Sequence, residues 1–196
     1  MKKGLISGLI LCTALLSILQ PVSAWAAPNH YAIAEEVYYS LPYDAQTKLD
    51  LSEMLNGADD PDYKFFDFQN HHYPFSQEKA NQWLEKGHNY YLKGDYKQAS
   101  YCFGVATHYL ADGACPPHSG GGHSGYEHTK CEIQAITLQP HITIKNGSAS
   151  FSQYSCNQMS ENAWQNYLKT GDTSCIQQCL DKSAIICFLE VKNAIY

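Results

Sequence analysis

The chain has 196 residues and a formal net charge of −6, and it contains no arginine. Without guanidinium forks or a basic run, binding to a nucleic-acid backbone by surface charge is disfavoured. Any phosphate recognised here must be met by metal ions, backbone amides or lysines.

The first 24 residues read as an export signal. Lys2 and Lys3 supply the positive start, Leu5 to Leu19 is a mostly apolar run, and Val22, Ser23 and Ala24 offer the small residues of a cleavage site. Cleavage after Ala24 would make Trp25 the first mature residue, and cleavage after Ala26 also fits the small-x-small rule. The expectation is a secreted or periplasmic protein of residues 25–196, read as one domain. No later run approaches the ~20 apolar residues of a membrane-spanning helix. The mature chain holds seven cysteines: Cys102, Cys115, Cys131, Cys156, Cys175, Cys179 and Cys187. In an exported protein these predict up to three disulfides, of unassigned pairing, with one thiol left over.

The elements read as mainly helical. Ile33, Val37 and Leu41 form one stripe of a first helix that contains His30. Ala45 to Asn56 continues the pattern, with Gly57 as its expected C-terminal cap. Ser76 is the expected cap of a helix running to about Leu92. Asp95 opens the longest predicted helix, through His108 and Asp112 to Gly113. A Gly/Pro-rich loop from Cys115 to Gly122 precedes a helix carrying His123 and Glu127. The alternation around Asn146-Gly147 predicts a small β-hairpin near 141–152. A short helix around Trp164 and an apolar helix from Ser183 to Ile195 end the chain. The fold class is therefore all-α, a single multi-helix domain with one small hairpin.

Five potential metal ligands lie within twenty residues: His108, Asp112, His118, His123 and Glu127. His108/Asp112 and His123/Glu127 are spaced i,i+4, which puts both members of a pair on one helix face. Imidazole with carboxylate suits zinc, and two such pairs point to more than one ion.

The segment from Gly94 through His108, Asp112 and His118, followed by His123-Ser-Gly-Tyr-Glu127, resembles the zinc-dependent phospholipase C family. That family includes bacterial phosphatidylcholine-preferring enzymes and the catalytic domain of clostridial alpha toxin. Weaker similarity runs from Trp25 to about Pro74 and around Ala163 to Gly171. The resemblance implies a helical domain with three zinc ions. One would be held by Asp62, His71, His108 and Asp112, and a second by His118, His123 and Glu127. The third would be held by Trp25, through its own amine and carbonyl, and by His30, with Asp112 bridging to the first. Asp59 and Asp60 are alternatives to Asp62, and His72 is the alternative to His71. Between His118 and His123 the loop is shorter than in the best-known enzymes.

The reaction implied is hydrolysis of glycerophospholipids to diacylglycerol and a phosphorylated head group. Clustered divalent ions would neutralise the phosphodiester and lower the pKa of a water. Asp62 would orient or deprotonate that water. Tyr63 and Phe68 fall on head-group positions, where an aromatic face attracts a choline ammonium, although most of the fifteen tyrosines must be bystanders. Where the family has an acidic residue near the amino terminus, this chain has Ala27-Pro28, so choline preference is left open. The expected partner is a phospholipid at a membrane or micelle surface, met transiently by a monomer. His72, His88, His128 and His141 read as surface histidines.

Two other functions fit parts of the pattern. Single-strand-specific zinc nucleases share the metal set, but their third motif ends in Trp-Asp where this chain has Tyr126-Glu127. A non-catalytic protein of the same fold would keep the zinc for stability alone.

Overall fold

The computed structural model describes residues 25–119, 125–144 and 152–196. In chain order the helices are α1 (Ala27–Ser40), α2 (Tyr43–Gln46), α3 (Leu51–Tyr63), a 3₁₀ turn (Phe68–Asn70), α4 (Phe75–Leu92), α5 (Tyr96–Asp112), α6 (Pro116–Ser119), α7 (Tyr126–Ala135), α8 (Gln153–Thr170) and α9 (Ser174–Ile195). Among the described residues there is no strand, and the architecture is all-α. The export signal lies outside the described residues. So does most of the expected hairpin; residues 141–144 are described and carry no strand.

Helix α5 is the axis of the molecule. Asp95 caps its start by accepting from the Gln98 amide, and from Cys102 to Asp112 every residue is buried. Such a helix must be covered all round. Helices α3 and α4 pack along it, with α1 and α9 against other parts of its surface. The α3–α5 approach is set by two glycines. A Cβ on Gly57 would collide with the Tyr101 carbonyl, and one on Gly104 with the carbonyl of Met54. The two backbones therefore touch where their side chains are absent, which locks the rotation of α5 and aims His108 and Asp112.

Several boundaries differ from expectation for local reasons. Gly57 is not a cap but an interior residue of α3, kept small by that contact. Ser76 is not a cap either: it is fully buried inside α4, and its hydroxyl accepts from Gln153. The helix around Trp164 is eighteen residues long because Ser152 and Ser155 form a reciprocal capping box at its start. The last helix begins at Ser174 rather than Ser183. Its apolar face extends back through Cys175, Ile176, Cys179 and Leu180.

The disulfide expectation is corrected. All seven cysteines are buried and none is joined in a disulfide. They serve as small apolar residues on packed helix faces. Burial pushes the Cys131 and Cys179 thiols up to about 12 and those of Cys102 and Cys156 to about 11. Few thiolates are therefore present to start exchange.

Candidate metal centre

Five side chains from four segments converge beside the C-terminal end of α5. His30 comes from the first turn of α1, Asp62 from the last turn of α3, and His71 from just after the 3₁₀ turn. His108 and Asp112 come from successive turns of α5. One group of potential ligand atoms (His30, His108, Asp112) and a second (Asp62, His71, His108) each lie within 4.8 Å of one another. Asp112 is the hub: its Oδ1 is 3.1 Å from His30 Nε2, and its Oδ2 is 3.0 Å from His71 Nδ1 and 3.2 Å from His108 Nε2. Asp62 Oδ1 stands 3.6 Å from His71 Nδ1 and 3.9 Å from His108 Nε2.

These contacts are short but poorly aligned for hydrogen bonding. His30 Nε2, His71 Nδ1, His108 Nε2 and Asp112 Oδ2 are buried with no hydrogen-bond partner. Orphaned buried polar atoms cost about 1–3 kcal/mol each, so four converging on one point need a reason. The tautomer of His108 supplies one. Its Nδ1 lies 2.7 Å from the carbonyl of Ala58. A carbonyl can only accept, so Nδ1 carries a proton and Nε2 is the atom presented to Asp112. A second ring nitrogen tied to a backbone carbonyl is the usual support of a metal-ligating histidine. The donor set of imidazole and carboxylate fits zinc.

Charge agrees with geometry. Burial alone would push Asp112 up, yet the imidazoles of His108, His30 and His71 hold its carboxyl well below the usual carboxylate range. Burial lowers His30, reinforced by the neighbouring His108. His108 is raised, because the attraction of Asp112 outweighs its own burial. His30 and His108 stack at 3.9 Å between ring centroids, at an interplanar angle of 13°.

Trp25 is buried against this cluster. Its indole Nε1 donates to the Ala111 carbonyl at 3.0 Å, and its backbone nitrogen lies 3.4 Å from Asp112 Oδ1. The alternatives open in the sequence separate here. His71 is in the cluster while His72 is exposed. Asp62 is in the cluster, whereas Asp60 accepts from Tyr101 and Lys64, and Asp59 interacts with Tyr31.

The other predicted residues are placed differently. His118 lies near the centre, with its ring bonded to the backbone of His71, and burial pushes its pKa down to about 4. His123 lies outside the described residues. Glu127 does not join the cluster: its side chain is 46% exposed and is met by Lys130 at 3.4 Å. The surface reading of His128 is corrected. That residue is 2% exposed, and its Nε2 is 2.8 Å from Glu132 Oε1. The available signal was the spacing of His128 and Glu132, another i,i+4 pair. Phe68 turns towards the centre, its ring 6.1 Å from that of His71, while Tyr63 is 65% exposed.

An open groove of about 590 Å³ adjoins the centre, lined in part by Phe65, Phe66, Lys79, Trp83 and Tyr109. Tyr109 connects the two, with its ring 5.9 Å from that of His71 and its hydroxyl 2.8 Å from Asp67 Oδ2.

Against known proteins, the family model for zinc-dependent phospholipase C matches residues 29–179. No curated protein and no solved structure matches the chain.

Proposed function

The chain belongs to the zinc-dependent phospholipase C family, and from that footing we propose that it is an exported hydrolase that cleaves glycerophospholipids on the glycerol side of the phosphodiester. The observation that carries the reading is the set of orphaned ring nitrogens on His30, His71 and His108 around the Asp112 carboxylate. Zinc bound there would neutralise the phosphodiester and acidify a water.

The chain's own residues then divide the work. Asp112 is the shared carboxylate, with Oδ1 towards His30 and Oδ2 towards His71 and His108. Asp62, 12% exposed, is the cluster's most accessible carboxylate and can take a proton from a water entering from solvent. His108 is held in its productive tautomer by the Ala58 carbonyl. Phe68 and the exposed Tyr63 offer aromatic faces to a cationic head group. The adjoining groove gives the glycerol and the start of the acyl chains an apolar wall at Phe65 and Trp83.

Export enters the same reading. Removal of residues 1–24 would free the Trp25 amine 3.4 Å from Asp112, where it completes a third ion site with His30. Among the described residues no helix is long and apolar enough to cross a membrane. In this reading a monomer meets lipid transiently, at the substrate surface.

The test is a substrate panel on zinc-loaded protein that begins at Trp25: phosphatidylcholine, phosphatidylethanolamine, sphingomyelin and single-stranded DNA. Release of diacylglycerol with a phosphorylated head group is expected, and Asp62→Asn should lower turnover roughly 10²–10⁴-fold. Cleavage of DNA alone would replace the reading with the nuclease. Full zinc binding without cleavage of any phosphodiester would leave a structural role.

A further inference from the structure

We propose that the segment joining α3 to α4 is the surface by which this chain docks on a phospholipid layer, with Phe66 and Phe75 as its anchors. The surface serves the phospholipase function proposed above, on which this inference rests.

The segment leaves the metal centre just after Asp62 and returns to it at His71. Within it, two neighbouring phenylalanines point in opposite directions. Phe65 turns inward and stacks on Trp83, with ring centroids 5.7 Å apart and planes 5° from parallel. Phe66 turns outward and is 68% exposed. Its φ is +52°, and among the described residues it is the one non-glycine residue in the left-handed region. A bulky L-residue is strained there, whereas glycine is not. The backbone pins it from both sides: the Phe65 amide donates to the Asp60 carbonyl at 2.9 Å, and the Asp67 amide to that of Pro61 at 3.0 Å. A strained residue that holds a large apolar ring in water gains nothing for the fold. Strain kept in this way points to a role in binding.

Two runs of ring contacts join the surface to the centre. Phe66 meets Phe68 at 6.4 Å between centroids, and Phe68 meets His71 at 6.1 Å. Phe75, 48% exposed, meets His72 at 5.6 Å, and His72 is the chain neighbour of His71. Phe66 also lines the open groove beside the centre, so the groove wall continues to the surface there. An acyl chain leaving the groove would pass over it.

Chemistry selects lipid over a protein partner. From Tyr63 to Phe75 the exposed residues include the cation Lys64 and no carboxylate, on a chain whose net charge is −6. Phenylalanine and tyrosine beside a lysine suit the boundary between head groups and acyl chains. A stable protein interface takes about 20–30 residues a side, more than one short connection supplies.

The experiment uses zinc-loaded protein that begins at Trp25. Co-sedimentation with phosphatidylcholine vesicles gives the affinity for the layer. Head-group release is compared on those vesicles and on short-chain phosphatidylcholine kept monomeric. Phe66→Gly and Phe75→Ser should each weaken vesicle binding about tenfold, the low end of what burying one phenylalanine contributes. Both should lose more turnover on vesicles than on monomers. Phe66→Trp should keep the binding, and Tyr43→Ser, at an exposed tyrosine of α2, should leave it unchanged. Phe66→Gly should melt no lower than wild type, because glycine relieves the backbone. Wild-type binding in both anchor variants would overturn the proposal, as would equal losses on the two substrates or equal weakening by Tyr43→Ser. A wild type that cleaves monomers without binding vesicles would overturn it too, and would leave the hydrolase reading standing. Vesicle binding that depends on the anchors, without cleavage of either substrate, would overturn the hydrolase reading and keep the docking surface.

Discussion

His108 and Asp112 ride on a helix buried along most of its length, whereas His128 and Glu132 ride on a ten-residue helix with one buried face. The α5 pair is aimed by the backbone contacts at Gly57 and Gly104, and its inward atoms lack partners. The α7 pair is aimed by a stripe of His128, Cys131 and Ala135, and its members bond each other. The first side is preorganised and electrostatically costly without a cation. The second is satisfied without one. Zinc should therefore be drawn to the α5 side.

The largest expected effect strikes the preorganised side. Asp112→Asn keeps the shape but removes the charge that three imidazoles surround. Zinc affinity should fall by more than the roughly 10–100-fold typical of losing an outer-shell partner. Equilibrium dialysis with the variant and wild type measures it, and unchanged affinity would break the distinction between the two sides.

Next comes the helix contact that aims α5. Gly104→Ala gains about 1 kcal/mol of helix propensity. It also drives a methyl into the Met54 carbonyl, and a backbone oxygen cannot swing away. Overpacking of this kind costs roughly 1–3 kcal/mol or more, so a net fall in Tm of several degrees is expected by thermal melting. By contrast, Thr129→Ala on the exposed side of α7 should leave Tm within about 1 °C.

A smaller effect is expected at Asp67, which lies beside the α5 cluster and accepts from Asn70, Tyr109 and Lys79. Burial pushes its carboxyl up, but those bonds outweigh burial and hold it below the usual range. A depressed pKa stabilises the fold at pH values above the unfolded-state pKa, and that contribution disappears as pH falls through the folded-state value. Asp67→Asn should cost about 1–2 kcal/mol near neutral pH and progressively less in acid, read from denaturant midpoints across pH. The smallest effect concerns the thiols. With none of the seven described cysteines in a disulfide, a reductant should leave the Tm unchanged.

Much of the helical layout was legible because α1 and α5 announce themselves by apolar period and by caps. His30, Asp62, His71, His108 and Asp112 were legible from spacing and resemblance, and the fold brings all five together. The α7 side was not. Its segment carries two equally spaced His-x-x-x-Glu pairs, and the burial of His128 depends on which stripe packs against the rest of the molecule. That packing involves Asn29, more than a hundred residues from Ala135 in sequence. The thiols misled for a related reason: cysteine count reports the capacity for bridges, while burial on helix faces reports their use as packing.

The central claim is that the cluster around Asp112 holds zinc in order to cleave a phosphodiester. It is tested most directly by following phosphorylated head-group release from phosphatidylcholine as zinc is stripped by a chelator and then returned stoichiometrically. The account predicts that release stops on stripping, returns with added zinc, and fails to return in Asp112→Asn. Release that continues undiminished in the zinc-free protein would contradict it.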